Sequence, residues 1–598
     1  MLNAPLKEYV TSRILPTIQT PAQYIGGELN SVRKDHGTVA GTVCLAFPDT
    51  YALGMSHHGL QVLYSLMNAH GWACERAFTP LPDFEKALRE HELPLYSLET
   101  FTPLKEFDVL GFSLQYEIGY SNVLTMLDIG GIPLKAEDRG PDDTLVIAGG
   151  PGAQNPELLA PYIDLFVIGD GEPSLPHVCD MWAAMRDDPT LSRADKLARI
   201  AGSVDWAYVP RFYDMTYGED GVITEIHRTR DDVPAAIKPC VIRGLDEIPL
   251  PTAPVVPFVE TAHDRIAIEI MRGCPWQCRF CQSTVIKRPL RYRTVETIVN
   301  AAMESYKSTG YDEISLLSLS TSDYPNFEEL VTKMSEVFTP LGVKISLPSL
   351  RITETLKKIP ALLQEGRRGG LTLAPEVARD DMREQIRKPI DNKDLYDGAA
   401  EAFRRGWRKV KLYFLCGLPG ERPADLDGIV EMAETIARIG KDVTGRFADV
   451  TASVSNFVPK PHTPYQWNGM QTRDYFHWAH RYLRNQVRIR SVTIKCHNIE
   501  TSLLEGILTR GDRRVAAVLE EAWRRGARLD AWTEHFDAKL WWKTFEDLGI
   551  DVASYSQRER PVDEVLPWDH IHVKKGREYL AKEQGRSVIQ LAAMAGAV

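Results

Sequence analysis

The chain has 598 residues, with 70 Lys+Arg against 81 Asp+Glu and a formal net charge of -11. That acidic total argues against a protein coated in basic charge for nonspecific nucleic-acid binding. Nine cysteines are too sparse for a disulfide scaffold. No apolar run reaches the ~18 residues a membrane span needs, and the first residues lack the apolar region and cleavage site of a signal peptide. A cytoplasmic, multidomain enzyme is expected, since the length is about four times the ~150 residues of one domain.

Strand-like runs at Val43–Phe47, Asp108–Ser113, Leu145–Gly149 and Leu165–Gly169 read as buried parallel strands, separated by helical stretches such as Gly59–Asn68. They predict a doubly wound, Rossmann-like α/β domain over residues 1–230. Glycine-rich turns follow two of the strands, at Gly149-Gly150-Pro-Gly and Gly169-Asp-Gly-Glu172. Such turns let a ligand approach the sheet, and the absence of GxGxxG disfavours a dinucleotide. Tyr208–Arg228 reads as a β-hairpin around Gly218-Glu-Asp-Gly221. Six prolines between Pro234 and Pro257 make 231–260 an extended linker.

Residues 261–470 alternate strand-like and helix-like segments, the pattern of a parallel βα layer. Strands are expected near 265–271, 312–318, 343–348, 370–374, 409–415 and 448–455, and helices near 294–309, 326–338, 353–365, 378–388, 392–405 and 423–439. Thr294, Asn326 and Asn392 are the expected helix caps. Residues 471–598 read as a helical C-terminal domain. Its segment 471–530 has twelve Lys+Arg against seven Asp+Glu, with Phe476, Trp478, Tyr482 and Trp523 interleaved. A nucleic-acid face and a salt-bridged helix surface both fit, and so small an excess favours the second.

Cys44, Cys74, Cys179, Cys240, Cys416 and Cys496 stand alone and read as small buried hydrophobes, whereas Cys274, Cys278 and Cys281 fall within eight residues. Three thiolates on one loop suit a soft metal centre. A structural zinc or a ferredoxin-type cluster would want a fourth ligand, and none lies close by. The spacing suits a [4Fe-4S] cluster with one open iron.

This CxxxCxxC loop resembles the signature of the radical S-adenosylmethionine (SAM) superfamily. The resemblance implies a partial (β/α)6 barrel, SAM chelated at the open iron, and Phe280 against the adenine. It also implies an external electron donor such as flavodoxin or ferredoxin, and cleavage of SAM to a 5'-deoxyadenosyl radical. The remaining candidates lie at strand ends, where βα barrels collect their chemistry. After the second strand, Ser320, Thr321 and Asp323 replace the usual Gly-Gly-Glu and resemble a variant found in members with a cobalamin-type domain; a helix-capping loop is the competing reading. Leu347–Arg351 and Leu373–Glu376 look like motifs of the same subgroup, with Glu376 implied at the SAM ribose or amine, or else complementing a helix dipole. Gly417, Gly420 and Glu421 resemble the adenine-contacting motif of the fifth strand. Ser455–Tyr465 matches the subgroup's closing loop, where Lys460 and His462 meet substrate or merely stiffen a lid. The 379–388 stretch reads as a solvated basic helix face.

The turns at Gly149 and Gly150 look like those of cobalamin (B12)-binding domains fused to such barrels. The Asp-x-His-x-x-Gly motif is absent; the nearest stretch is Gly54–Gly59, where His57 and His58 read as structural. The domain therefore either presents cobalamin for methyl transfer or only closes the site. The tail from Phe536 to His570 resembles an uncharacterised subfamily. The expected function is a radical SAM enzyme for C–H functionalisation, with a small molecule, RNA or protein as substrate and no membrane partner. One alternative, methylthio transfer to RNA or protein, would need a second three-cysteine cluster, for which Cys44, Cys74 and Cys179 are poorly placed. The other is a non-catalytic iron-sulfur electron carrier or sensor, against which the strand-end motifs argue.

Overall fold

The computed structural model describes residues 2–347 and 371–596. Its N-terminal sheet contains β1 (Thr42–Phe47), β2 (Ala73–Phe78), β3 (Val109–Ser113), β4 (Leu145–Gly149), β5 (Leu165–Val167) and β6 (Ala207–Tyr208), in the order 2-1-3-4-5-6. All pairings are parallel except β5 with β6. Strands β1 and β2 are buried at every position, as a sheet covered on both faces requires. The expected hairpin forms from β7 (Tyr213–Tyr217) and β8 (Ile223–Arg228).

The linker threads between the domains with one short 3-10 turn, Leu245–Glu247, of its own. Cys240 bridges to Gly169, and Ile237 to Ile571. A short antiparallel pair, β10 (Met271–Arg272) with β11 (Arg291–Tyr292), follows β9 (Ile266–Glu269) and closes the base of the cysteine loop.

The barrel strands are parallel: β9 with β12 (Glu313–Leu317) and β13 (Lys344–Ser346), then β14 (Leu371–Glu376), β15 (Lys409–Cys416), β16 (Asp449–Asn456) and β17 (Val492–Cys496). The six expected strands are present. The expected helix at 353–365, and the motif from Pro348 to Arg351, lie outside the described residues. β17 extends the sheet past residue 470, where the sequence reading ends the barrel, because Val492 and Ile494 pack into the same core as Leu412 and Val450. The C-terminal helices differ from expectation too. Leu504, Leu508, Val515, Leu519, Trp523 and Trp541 join the core of the N-terminal sheet, Phe476 and Leu483 join the barrel core, and Leu566, Trp568, Val573 and Leu580 form a small cluster with Val285 and Trp467.

Local signals set the helix ends. Thr294 accepts from the Thr297 amide at 3.2 Å, and Gly310 ends that helix in the left-handed region. Asn326 makes no side-chain cap bond. At the next helix Asp391 caps in place of Asn392, whose side chain is occupied by Arg383 and the Ala378 carbonyl.

Candidate functional site

The cysteine loop is held in place by arginines. Arg272, the residue before Gly273, reaches Glu269 at 2.8 Å, Glu172 at 2.6 Å and Asp170 at 3.0 Å, which ties the loop's base to a strand-end turn of the N-terminal domain. Arg291 on β11 meets the other oxygen of Asp170 at 2.5 Å. Arg288 donates to the carbonyls of Cys274 at 3.2 Å and Trp276 at 3.1 Å, so the loop backbone folds around one guanidinium. Arg279 donates to the Gln385 carbonyl at 2.6 Å and to Gln590 at 2.5 Å.

On this frame Cys274 and Cys278 are buried and Cys281 is half-buried. Burial pushes the Cys281 thiol up, while the amides of Thr284 and Ser283 pull it back. Among the described residues no three His, Cys, Asp or Glu side chains form a group that could hold a single metal ion. Amides aimed at a sulfur are among the levers that set a cluster's potential.

The strand-end candidates divide into two groups. Asp323 accepts from Trp276 of the cysteine loop at 2.6 Å and from Ser320 at 2.5 Å, while Thr321 pairs with Ser318 at 3.0 Å. Ser320 and Thr321 are buried, so this loop braces the cysteine loop, and their hydroxyls bond within the loop without capping the helix that follows. Glu376 stands at a bulge in β14 with φ +64°, paired with Lys388 at 2.7 Å and close enough to Cys281 to raise its thiol. A non-glycine residue in that backbone region costs of order 1–3 kcal/mol and is characteristic of functional sites. Glu421 points elsewhere: it accepts from the Gly417 amide at 2.8 Å and from the Tyr475 hydroxyl, and burial pushes it up to about 7. Its carboxylate is committed to bracing the turn, not to a ligand. A Cβ on Gly420 would lie 2.2 Å from Leu591 of the C-terminal helix Gly576–Gly596, and Phe280 packs beside Met594 of that helix. Lys460 and His462 are likewise occupied, the first by Glu117 at 2.9 Å and Glu505 at 2.8 Å, the second by the Gln154 carbonyl at 2.9 Å. They lock the closing loop to the N-terminal domain.

A cavity of about 430 Å³ lies between the two domains. One wall is the strand ends of the N-terminal sheet, with Phe112, Ile147, Gly149, Gly150 and Gly169. The other is the base of the cysteine loop and the ends of β9 and β12, with Glu269, Arg272, Lys287 and Ser318. Gly150 has φ +99°, and a Cβ there would meet the Leu114 carbonyl at 2.5 Å, so the turn is possible only with glycine. His57 accepts from the Leu60 amide at 3.1 Å and caps its helix, as the sequence suggests. His58 lines the cavity, and its buried Nε2 has no partner among the described residues. Glu269, Arg272 and Lys287 were not singled out from sequence, although the run Lys287-Arg-Pro-Leu-Arg-Tyr-Arg293 directly after the cysteines was a visible signal.

Residues 59–210 match the family described as radical SAM proteins, N-terminal, and residues 268–433 match the radical SAM superfamily. An uncharacterised protein of Methanocaldococcus jannaschii is 24% identical over 514 residues, 84% of this chain and 98% of its own. An uncharacterised methyltransferase of Pyrococcus horikoshii is 23% identical over 304 residues, 49% of this chain and 59% of its own. The radical SAM methyltransferase TsrM from Kitasatospora setae, solved with cobalamin and a [4Fe-4S] cluster bound, is 13% identical, with 85% of this chain and 99% of that one covered and a TM-score of 0.48. With both matched segments in order along one chain, and the three cysteines inside the second, this protein is a radical SAM enzyme.

Proposed function

We propose that Cys274, Cys278 and Cys281 hold a [4Fe-4S] cluster at which SAM is cleaved, and that the interdomain cavity takes cobalamin for transfer of a methyl group to a substrate carbon. The observation carrying this reading is the cavity's position, with glycine turns of the N-terminal sheet on one side and the base of the cysteine loop on the other. Its volume lies in the range of cofactor and small-molecule pockets. The residues present fit such groups: three thiols on one braced loop, a glycine cradle, and the orphaned Nε2 of His58. When bound, the cluster supplies the electron that breaks the SAM sulfonium bond.

The chain's own residues position and shield. Arg272 and Arg288 fix the loop that carries the thiols, Glu376 would accept from the SAM amine or ribose, and the C-terminal helix holds the loop through Gln277 and Arg279. Methylthio transfer is disfavoured, since Cys44, Cys74 and Cys179 are buried in the N-terminal core with thiols pushed well up by burial. Anaerobic reconstitution with iron and sulfide, then dithionite and SAM, tests the first part. Release of 5'-deoxyadenosine that is abolished in C278A and kept in C496A supports it; release by neither or by both defeats it. Titration with hydroxocobalamin, read by visible absorbance, tests the second.

A further inference from the structure

Lys287 is a charged group of the cavity wall. It follows the short helix Ser283–Ile286 that leaves the cysteine loop. Its backbone carbonyl accepts from Arg291 at 3.3 Å, which fixes where the side chain starts. Its ammonium has no hydrogen-bond or ion-pair partner among the described residues, although it carries three donors. The neighbouring carboxylates are engaged: Asp170 by Arg272 and Arg291, and Glu172 and Glu269 by Arg272. A half-buried cation on a cavity wall with no pairing of its own is free to take an acceptor from a ligand.

The N-terminal wall contributes Leu45, Phe112, Ile147 and Val167 as an apolar patch, besides Ser113, Gln115 and the already paired Asp170 and Glu172. The cavity therefore holds an apolar patch on the N-terminal sheet and, among the described residues, the one lysine ammonium of its lining beside the cysteine loop. We propose that Lys287 is an anion-recognition residue of this cavity, and that the occupant presents a carboxylate or phosphate oxygen to its ammonium while its apolar body lies against the N-terminal sheet. Burial lowers the affinity of Lys287 for its proton, outweighing the pull of Asp170, Glu269 and Glu172, so an anion arriving at this point strengthens the charged form.

The inference rests on the reading of the cavity as a cofactor or substrate site. Two sources of the anion are separable: the phosphodiester of cobalamin and the carboxylate of SAM. The experiment measures Kd of the full-length, cluster-reconstituted protein for hydroxocobalamin by absorbance titration and for SAM by equilibrium dialysis, in wild type, K287R, K287Q and K287M. Circular dichroism and the thermal midpoint establish that each variant is folded. The expected result is a loss of about tenfold or more for one of the two ligands in both K287Q and K287M, with K287R within about threefold of wild type. The affected ligand should also show a shallower salt dependence in the neutral variants. The ligand that weakens identifies the source. Unchanged affinity for both ligands in the folded neutral variants overturns the role of Lys287 alone, and so does an equal loss in K287R. If wild type binds neither ligand, the reading of the cavity and the role of Lys287 fall together.

Discussion

Replacing Arg272 by Met tests how the two domains are joined at the site. In the wild type this guanidinium meets Glu269 at 2.8 and 2.9 Å, Glu172 at 2.6 and 3.2 Å, and Asp170 at 3.0 Å. Its side chain is 12% exposed and those of Asp170 and Glu172 are 6% and 5%, so little solvent is at hand to replace it. Breaking a buried ion pair by removing one partner costs about 3–5 kcal/mol, and R272M should fall in that range at pH 7. Arg291 continues to hold Asp170, which keeps the loss from multiplying across all three acids. The pH dependence carries the sharper test. Burial raises Asp170 and Glu269, but Arg272 and its neighbours more than compensate, so both sit below their ordinary values. Carboxylates depressed in the folded state contribute stability above their unfolded pKa and lose it as pH falls through the folded value. Without Arg272 the folded-state depression of Asp170 and Glu269 is lost, so they take up protons more readily as the pH falls, which relieves part of the damage. The gap between R272M and wild type should therefore narrow from pH 7 to pH 5. Urea denaturation of the anaerobic apoprotein, followed by tryptophan fluorescence, measures it. A loss below about 1 kcal/mol at pH 7, or a gap that does not change with pH, would refute the view that this fork joins the domains.

Glu421 gives a pH dependence of the opposite sign. Its folded value of about 7 lies above the ordinary 4.5, so it costs stability as pH rises from 4.5 to 7, and E421Q should gain on wild type across that interval by up to about 3 kcal/mol in thermal or urea melts. G420A should release the C-terminal helix, because its Cβ meets Leu591 and φ is +75°; a cost of about 1–3 kcal/mol and faster proteolysis near residue 576 are expected. Ending the chain at residue 575 should speed alkylation of Cys278 and Cys281 by iodoacetamide about tenfold or more in the apoprotein, read by mass spectrometry of the two thiols.

Most of the barrel was readable because its strands are short apolar runs between capped helices, and the cysteine triplet marked the candidate site without help from the fold. What escaped is informative. β2, Ala-Cys-Glu-Arg-Ala-Phe, hides behind charge: Arg76 is buried between Glu28 at 3.1 Å and Glu99 at 2.6 Å, and Glu75 takes His36, Ser97 and Thr100. A fully buried strand with two paired charges in its middle has no hydrophobic period to detect. β17 was masked by the basic helices around it. Six of the twelve cations of 471–530 are ion-paired, among them Arg473 with Glu500, Arg513 with Glu157 and Arg528 with Glu85, while Arg481, Arg484, Arg488 and Arg490 beside β17 make no ion pair among the described residues. Glu421 shows a different failure. A motif predicts where a residue sits along the chain, but its hydrogen-bond partner, here Tyr475, comes from a helix more than fifty positions away.

The C-terminal helix bears on how the cysteine loop is held. Tyr579, Glu583, Ser587, Gln590 and Leu591 hold Gln277, Arg279, Gln385 and Gly420. One helix thereby fastens the cysteine loop, the helix after Glu376 and the turn after β15 at once, so a disturbance that lifts it loosens all three together.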